Sequence, residues 1–177
     1  MILSEYKKIY HAPKVKSIIW YVLNFIFFFE TAIPYPSQIK CFILKLMGAH
    51  IGKGVVIKPN VKIKYPWNLY IGNNSWLGEK VWIDNLDIVS VGNNCCISQG
   101  AYLLTGNHDY RSEYFDLIIS PITIESEVWV GAKAIVTPGV HLKTGAILAV
   151  NSVAVSDLNE NSVYQGNPAT FKRKRYS

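Results

Sequence analysis

Four histidines, three cysteines and a thin scatter of carboxylates are the side chains in this 177-residue chain that could move a proton or hold a metal. His11 lies in the N-terminal segment, His50 directly precedes the first regular repeat, and His141 falls at an outward repeat position; each reads as a surface residue. His108 differs. It stands in Thr105-Gly106-Asn107-His108-Asp109-Tyr110, with Arg111, Glu113 and Asp116 close behind. An imidazole titrates near neutral pH and suits a general base. A turn residue satisfied by Asp109 is the competing account. Cys41, Cys95 and Cys96 are odd in number and lack metal-site spacing, so free thiols in a reducing cytoplasm are expected.

The scaffold that must hold His108 is written in a period of six. From Ile124 an aliphatic or small residue recurs at Val130, Val136, Leu142, Leu148 and Ala154. Counting back recovers Leu103, Ile97, Val91, Ile83, Leu77, Ile71, Ile63, Ile57 and Ile51, with two-residue slips after Ile63 and Ile83. Neither an amphipathic helix nor an alternating strand gives that period. A repeat this short predicts a solenoid in which each side of each coil supplies one hexad. The fifth hexad position agrees: Val55, Val61, Ser75, Val81, Cys95, Ala101, Val128, Ala134, Val140, Ala146 and Ser152 are all small or β-branched, as a cramped interior corner requires.

The interruptions are as informative as the repeat. The slips place Tyr65-Pro66-Trp67-Asn68 and Asn85-Leu86-Asp87 at corresponding corners, and the repeat then stops at Leu103 and resumes at Ile124. The segment 104–121, which carries His108, is the only long break, and loops held by rigid scaffolds carry function more often than the scaffold does. The chain therefore divides into an N-terminal segment 1–50, a solenoid 51–158 of about five coils with an inserted loop 104–121, and a C-terminal extension 159–177 with a basic tail. Within the first segment Ser17 to Phe29 is strongly apolar but short of the roughly 20 residues of a membrane span. It is expected to cover the open N-terminal end of the solenoid or to lie on a membrane surface. Gln38 to Met47 reads as a second short helix, stopped at Gly48.

Only 17% of the residues are charged, fewer than in an average soluble chain, so much of the surface is expected to be covered by other copies. The net charge is +6 and ends in Lys172-Arg173-Lys174-Arg175. No recognition helix or stacking platform for nucleic acid accompanies that charge, and an anionic cofactor or a membrane surface suits it better.

Ile51-Gly52, Ile71-Gly72, Leu77-Gly78, Val91-Gly92 and Val130-Gly131 resemble the repeats of the hexapeptide acyltransferases. Thr105 to Tyr110, Tyr65 to Leu69, Cys96 to Leu103 and Gly166-Asn167-Pro168-Ala169 together look like the sugar O-acetyltransferases of colanic acid and capsular polysaccharide biosynthesis. The resemblance implies an all-β, left-handed parallel β-helix working as a homotrimer; the cysteines and the apolar segment 17–29 add the expectation that it works in the cytoplasm, or at the inner face of the membrane. The resemblance also implies direct transfer from acetyl-CoA to a sugar hydroxyl, without a metal, with His108 as general base. One of Asp109, Glu113, Asp116 or a backbone carbonyl would orient its ring.

Asn85 matches an asparagine that binds the acceptor, a corner turn residue being the alternative; Asp109 is a second acceptor candidate. Trp129 falls in the region that lines the pantetheine channel, or at a trimer interface. Gly131, Ala132 and Ala134 could meet the pantetheine amides through backbone groups, and Lys143, Lys172 and Arg173 could meet the phosphates. Serine, maltose or antibiotic acceptors share the architecture. So does a γ-carbonic-anhydrase-like hydratase, which needs three histidine ligands, while only His108 and His141 lie beyond the first coil residue. A non-catalytic trimeric scaffold is the remaining reading.

Overall fold

The computed structural model describes residues 2–6, 12–28 and 33–176. Fifteen hexad residues from Ile51 to Ala154 all point inward and are buried, and so is every member of the small-residue column. Burial of each aliphatic side chain contributes about 1.5–3 kcal/mol, so the repeat is itself the core. Three faces of short parallel strands surround it. The first face stacks His50–Ile51, Leu69–Ile71, Val89–Val91, Ile122–Ile124 and His141–Leu142, and a single bridge from Leu142 to Leu158 begins one more rung. The second runs through Val56–Ile57, Trp76–Leu77, Cys96–Ile97, Trp129–Val130 and Ile147–Leu148; the third through Lys62–Ile63, Trp82–Asp84, Tyr102–Leu104, Ile135–Val136 and Val153–Ala154. The solenoid makes about six turns, one more than the hexads alone suggest. The extra turn comes from the C-terminal extension. Strand Ser162–Gly166 adds in parallel to the second face, and Ala169–Lys174 closes on it antiparallel.

Backbone packing between coils explains the glycines. A methyl group on Gly131 would sit 2.6 Å from the Val150 nitrogen, and one on Gly72 would sit 2.6 Å from the Gly92 carbonyl. The corner between first and second faces also carries a side-chain ladder: Asn73 Oδ1 accepts from Lys53 N–H, Asn93 Oδ1 from Asn73 N–H, and Ser126 Oγ from Asn93 N–H.

Two helices lie across the N-terminal end. In α1 (Lys14–Phe27) Trp20 is buried and its indole N–H donates to the Ile63 carbonyl at 2.9 Å. In α2 (Ser37–Leu46) Ser37 Oγ accepts from Ile57 N–H at 3.0 Å, and the Lys40 ammonium donates to the carbonyls of Ile57 and Lys58 at 3.3 and 3.1 Å. The Ile57 and Ile63 groups are ones that a further coil would have paired. Lys40 is fully buried, and burial pushes its pKa below the ordinary lysine value. The end is thus closed by α2 together with the Trp20 side of α1. The apolar segment 17–29 covers part of it, with Phe29 outside the described residues.

Candidate active site

The long insertion is an ordered hairpin. Gly106–His108 pairs antiparallel with Leu117–Ile119, setting His108 opposite Leu117. Its root is bolted to the coil below: the buried Thr105 hydroxyl donates to the Asp84 carbonyl at 3.1 Å and accepts from Asp87 N–H at 3.0 Å. Residues 65, 85 and 105 therefore stack at one corner, between third and first faces, at intervals of one coil. All three breaks in the six-residue period leave the solenoid there.

Within the hairpin, His108 Nδ1 lies 2.8 Å from the carbonyl oxygen of Phe115. A carbonyl only accepts, so Nδ1 carries the hydrogen of the neutral ring and Nε2 keeps its lone pair. Phe115 reaches this arrangement with a left-handed backbone (φ 53°), which costs a bulky residue roughly 1–2 kcal/mol. The ring of Phe115 then stacks on the imidazole, 4.1 Å between centroids and 4° between planes, which with the hydrogen bond offsets that cost. Tyr6 approaches the same imidazole at 5.6 Å, and the Ile2 N–H donates to the Glu113 carbonyl, so the N-terminal residues lie against the hairpin.

The carboxylates expected to orient His108 are used elsewhere. Asp109 Oδ1 accepts from Arg111 N–H at 2.9 Å, Asp116 Oδ2 accepts from the Ser112 hydroxyl, and Glu113 is exposed at the tip. The Phe115 carbonyl, an unnamed member of the backbone alternative, holds the ring.

Asn85 is wholly buried, with Oδ1 accepting from Tyr65 N–H at 2.9 Å and Nδ2 donating to Tyr65 O at 2.6 Å. Its side chain is spent on the corner below, and this is a correction to direct acceptor contact. At an ordinary hexad the third residue, such as Glu79 or Gln99, turns outward; at the slip the alternation of Trp82 out and Ile83 in runs on, so Asp84 faces outward and Asn85 inward. Asp84 pairs with Lys64 at 2.7 Å and accepts from the Tyr102 hydroxyl at 3.3 Å. Tyr102 stacks on Trp82 at 4.6 Å; burial, and then the Asp84 charge, push its pKa up to about 12.

On the second face Trp129 is exposed and donates its indole N–H to Ser98 Oγ at 2.8 Å. It shares one outward row with Ile147, Val163 and Arg173. Lys172 and Arg173 thus sit on an ordered strand, and Arg175 reaches back to the carbonyls of Glu127 and Gly145.

Ala134 belongs to the interior column, and its N–H and carbonyl are paired with Gly131 and Tyr102. Gly131 N–H donates to Leu148 O and Ala132 O accepts from Asn151 N–H. Most of the small-residue backbone assigned to pantetheine is therefore engaged in the solenoid's own hydrogen bonds, three between coils and one within a coil, which corrects that part of the expectation. Lys143 lies at the corner between first and second faces, where its N–H donates to Leu158 O. His141 pairs with Glu125 at 2.7 Å on the first face; the Glu125 carboxyl is held below its ordinary value, chiefly by hydrogen bonds from Thr144. His50 stacks on Tyr70, and His11 lies outside the described residues. Among the described residues no three His, Cys, Asp or Glu side chains gather as a metal site.

A hairpin histidine on a triangular parallel β-helix defines a class of transferase scaffold, and sequence comparison agrees with it. The family model described as the hexapeptide repeat of succinyl-transferase matches residues 121–153. The chain is 38% identical over 156 residues, 88% of its length and 85% of the relative's, to the protein of Escherichia coli K12 assigned as colanic acid biosynthesis acetyltransferase WcaF. It is 26% identical over 145 residues to the galactoside O-acetyltransferase of the same strain, covering 79% of this chain and 71% of that one. A solved galactoside acetyltransferase in complex with coenzyme A superposes with a TM-score of 0.84 at 22% identity, over 98% of this chain and 91% of that one. A hexapeptide-repeat acetyltransferase of Vibrio cholerae complexed with acetyl-coenzyme A gives 0.82 at 17% identity, over 93% and 89%. This chain belongs to the hexapeptide-repeat acetyltransferases, and its solenoid is the left-handed β-helix of that family.

Proposed function

We propose that the protein transfers the acetyl group of acetyl-CoA to a hydroxyl of a sugar in a surface-polysaccharide precursor, with His108 as the general base. The observation that carries this reading is the bond between Nδ1 and the Phe115 carbonyl, which leaves Nε2 ready to receive a proton. A sugar hydroxyl is a poor nucleophile until that proton leaves. As the oxygen attacks the thioester carbonyl, Nε2 takes the proton; the tetrahedral oxyanion collapses, the carbon–sulfur bond breaks, and the imidazolium returns the proton to the departing thiolate. No covalent enzyme intermediate is needed.

The sugar acceptor is supported by the resemblance to the colanic acid relative, which is close in length as well as sequence. Asp109, half-buried beside His108, is the acceptor-binding side chain of this reading, with Asn85 acting through the corner it holds. The coenzyme would follow the second face past Trp129, with Arg173, Lys172 and Lys143 toward its phosphates. A homotrimer is part of the proposal: Trp76, Trp82 and Trp129 are exposed on the outside of a single chain, and a neighbouring copy would cover them. Three free cysteines suit a reducing cytoplasm.

The test is thiol release from acetyl-CoA against a panel of sugar precursors, serine, maltose and chloramphenicol. Acetylation of a sugar hydroxyl by the wild type and its loss in His108→Ala support the reading. Equal turnover by the variant would remove His108 from the chemistry, and preference for a non-sugar would reassign the acceptor.

A further inference from the structure

We infer that the N-terminal end of the solenoid is a docking surface for an anionic lipid bilayer. The inference does not depend on the acceptor or on the role of His108.

The first observation concerns α1, which is apolar on two opposite sides. Trp20, Leu23 and Phe27 lie against the protein. Val15, Ile18, Ile19, Val22, Phe25 and Ile26, spaced by three and four, form one outward stripe, and all are exposed. A helix of a soluble protein ordinarily gives that outer side to polar residues. The pattern recurs in α2, where Ile39, Phe42 and Leu46 face outward with exposures of 42%, 68% and 70%. The inner sides of the helices bond to Ile57, Lys58 and Ile63, whose polar groups face the open end of the first coil. The outer stripes therefore look away from the solenoid at that end.

The second observation is independent and concerns charge. In the first 78 residues ten lysines stand against only Glu5 and Glu30, while the rest of the chain holds ten acidic residues to eight basic ones. Lys14 opens α1, Lys45 lies beside Phe42 and Leu46, and Lys53 and Lys58 project from the first coil; all four are exposed. Lys45 also lines two shallow grooves, of about 510 and 310 Å³, on either side of Gly52. An apolar stripe bordered by lysines matches the boundary between anionic headgroups and acyl chains. At 14 residues α1 is too short to cross a bilayer, and no described helix is long and apolar enough to do so. Lying in the interface is the geometry that remains for these helices on a membrane.

Flotation of the full-length protein with phosphatidylcholine vesicles, with and without phosphatidylglycerol, tests this. Binding to the anionic vesicles, lost at high salt and weak on phosphatidylcholine alone, is the expected result. Ile18→Ser/Phe25→Ser should weaken it at least about 10-fold. Lys53→Glu/Lys58→Glu should weaken it roughly fivefold per lysine. Acetyl transfer to a soluble acceptor should be unchanged in both variants. Wild-type protein that stays with the soluble fraction overturns the inference, as does binding unaffected by either pair. A smaller oligomer in Ile18→Ser/Phe25→Ser would assign the stripe to contacts between copies, and would equally overturn it.

Discussion

Two corners of the same solenoid are built from stacked residues one coil apart, and they serve opposite ends. Between first and second faces, Asn73, Asn93 and Ser126 each accept from the backbone of the preceding coil, and the period is kept. Between third and first faces, Asn85 and Thr105 also bond to the preceding coil, yet each sits where the chain departs from the period. The difference is burial. The ladder is solvent-exposed and bears only on its own turns, whereas Asn85 and Thr105 are sealed and carry the root of the hairpin that aims His108. Irregularity is confined to one corner, and that corner carries His108.

The sharpest test removes the imidazole. His108→Ala should lower turnover roughly 10²- to 10⁴-fold while the solenoid stays folded, with a stability loss of no more than about 1–2 kcal/mol from the unsupported Phe115 backbone, read by thiol release and calorimetry. Replacing Asn85 by Leu should cost about 2–3 kcal/mol, because both Tyr65 backbone groups lose partners inside the protein; a denaturant midpoint equal to wild type would refute the role assigned here. Thr105→Val, nearly the same shape, should cost about 1 kcal/mol and also depress turnover, since the hairpin loses its anchor. Asn93→Ala, at the other corner, should cost about 0.5–1 kcal/mol and leave turnover alone. If Asn93→Ala impaired catalysis as Thr105→Val does, the contrast between the corners would collapse.

The smallest effect is a titration. Tyr102 holds its proton more tightly folded (pKa about 12) than unfolded (about 10), so its contribution to stability is complete below pH 10 and fades as pH rises toward 12. The difference in phenolate absorbance between wild type and Tyr102→Phe should therefore develop late in an alkaline titration.

The spool was legible because one side chain per hexad must fill the interior, and aliphatics at that spacing have no other use. His108 was legible because the single long break contained a single histidine. Its orienting partner was not, for a backbone carbonyl turned by the left-handed Phe115 leaves no side-chain signature. For Asn85 two readings stood open, acceptor contact and corner residue, and the sequence could not choose between them because at a slip the third residue of the hexad turns inward instead of outward. The closing strand Ala169–Lys174 was hidden by its basic composition, and Trp20 was read as one more apolar residue though its indole N–H closes the coil end.

The two ends of the spool are finished in different materials. Ser37, Lys40 and Trp20 stop one end, while an antiparallel strand studded with Lys172, Arg173 and Lys174 stops the other. Parallel rungs left bare at both ends would template each other, head to tail, into an endless fibre. Helices over one end and an antiparallel strand on the second face at the other interrupt the parallel register that such stacking would need.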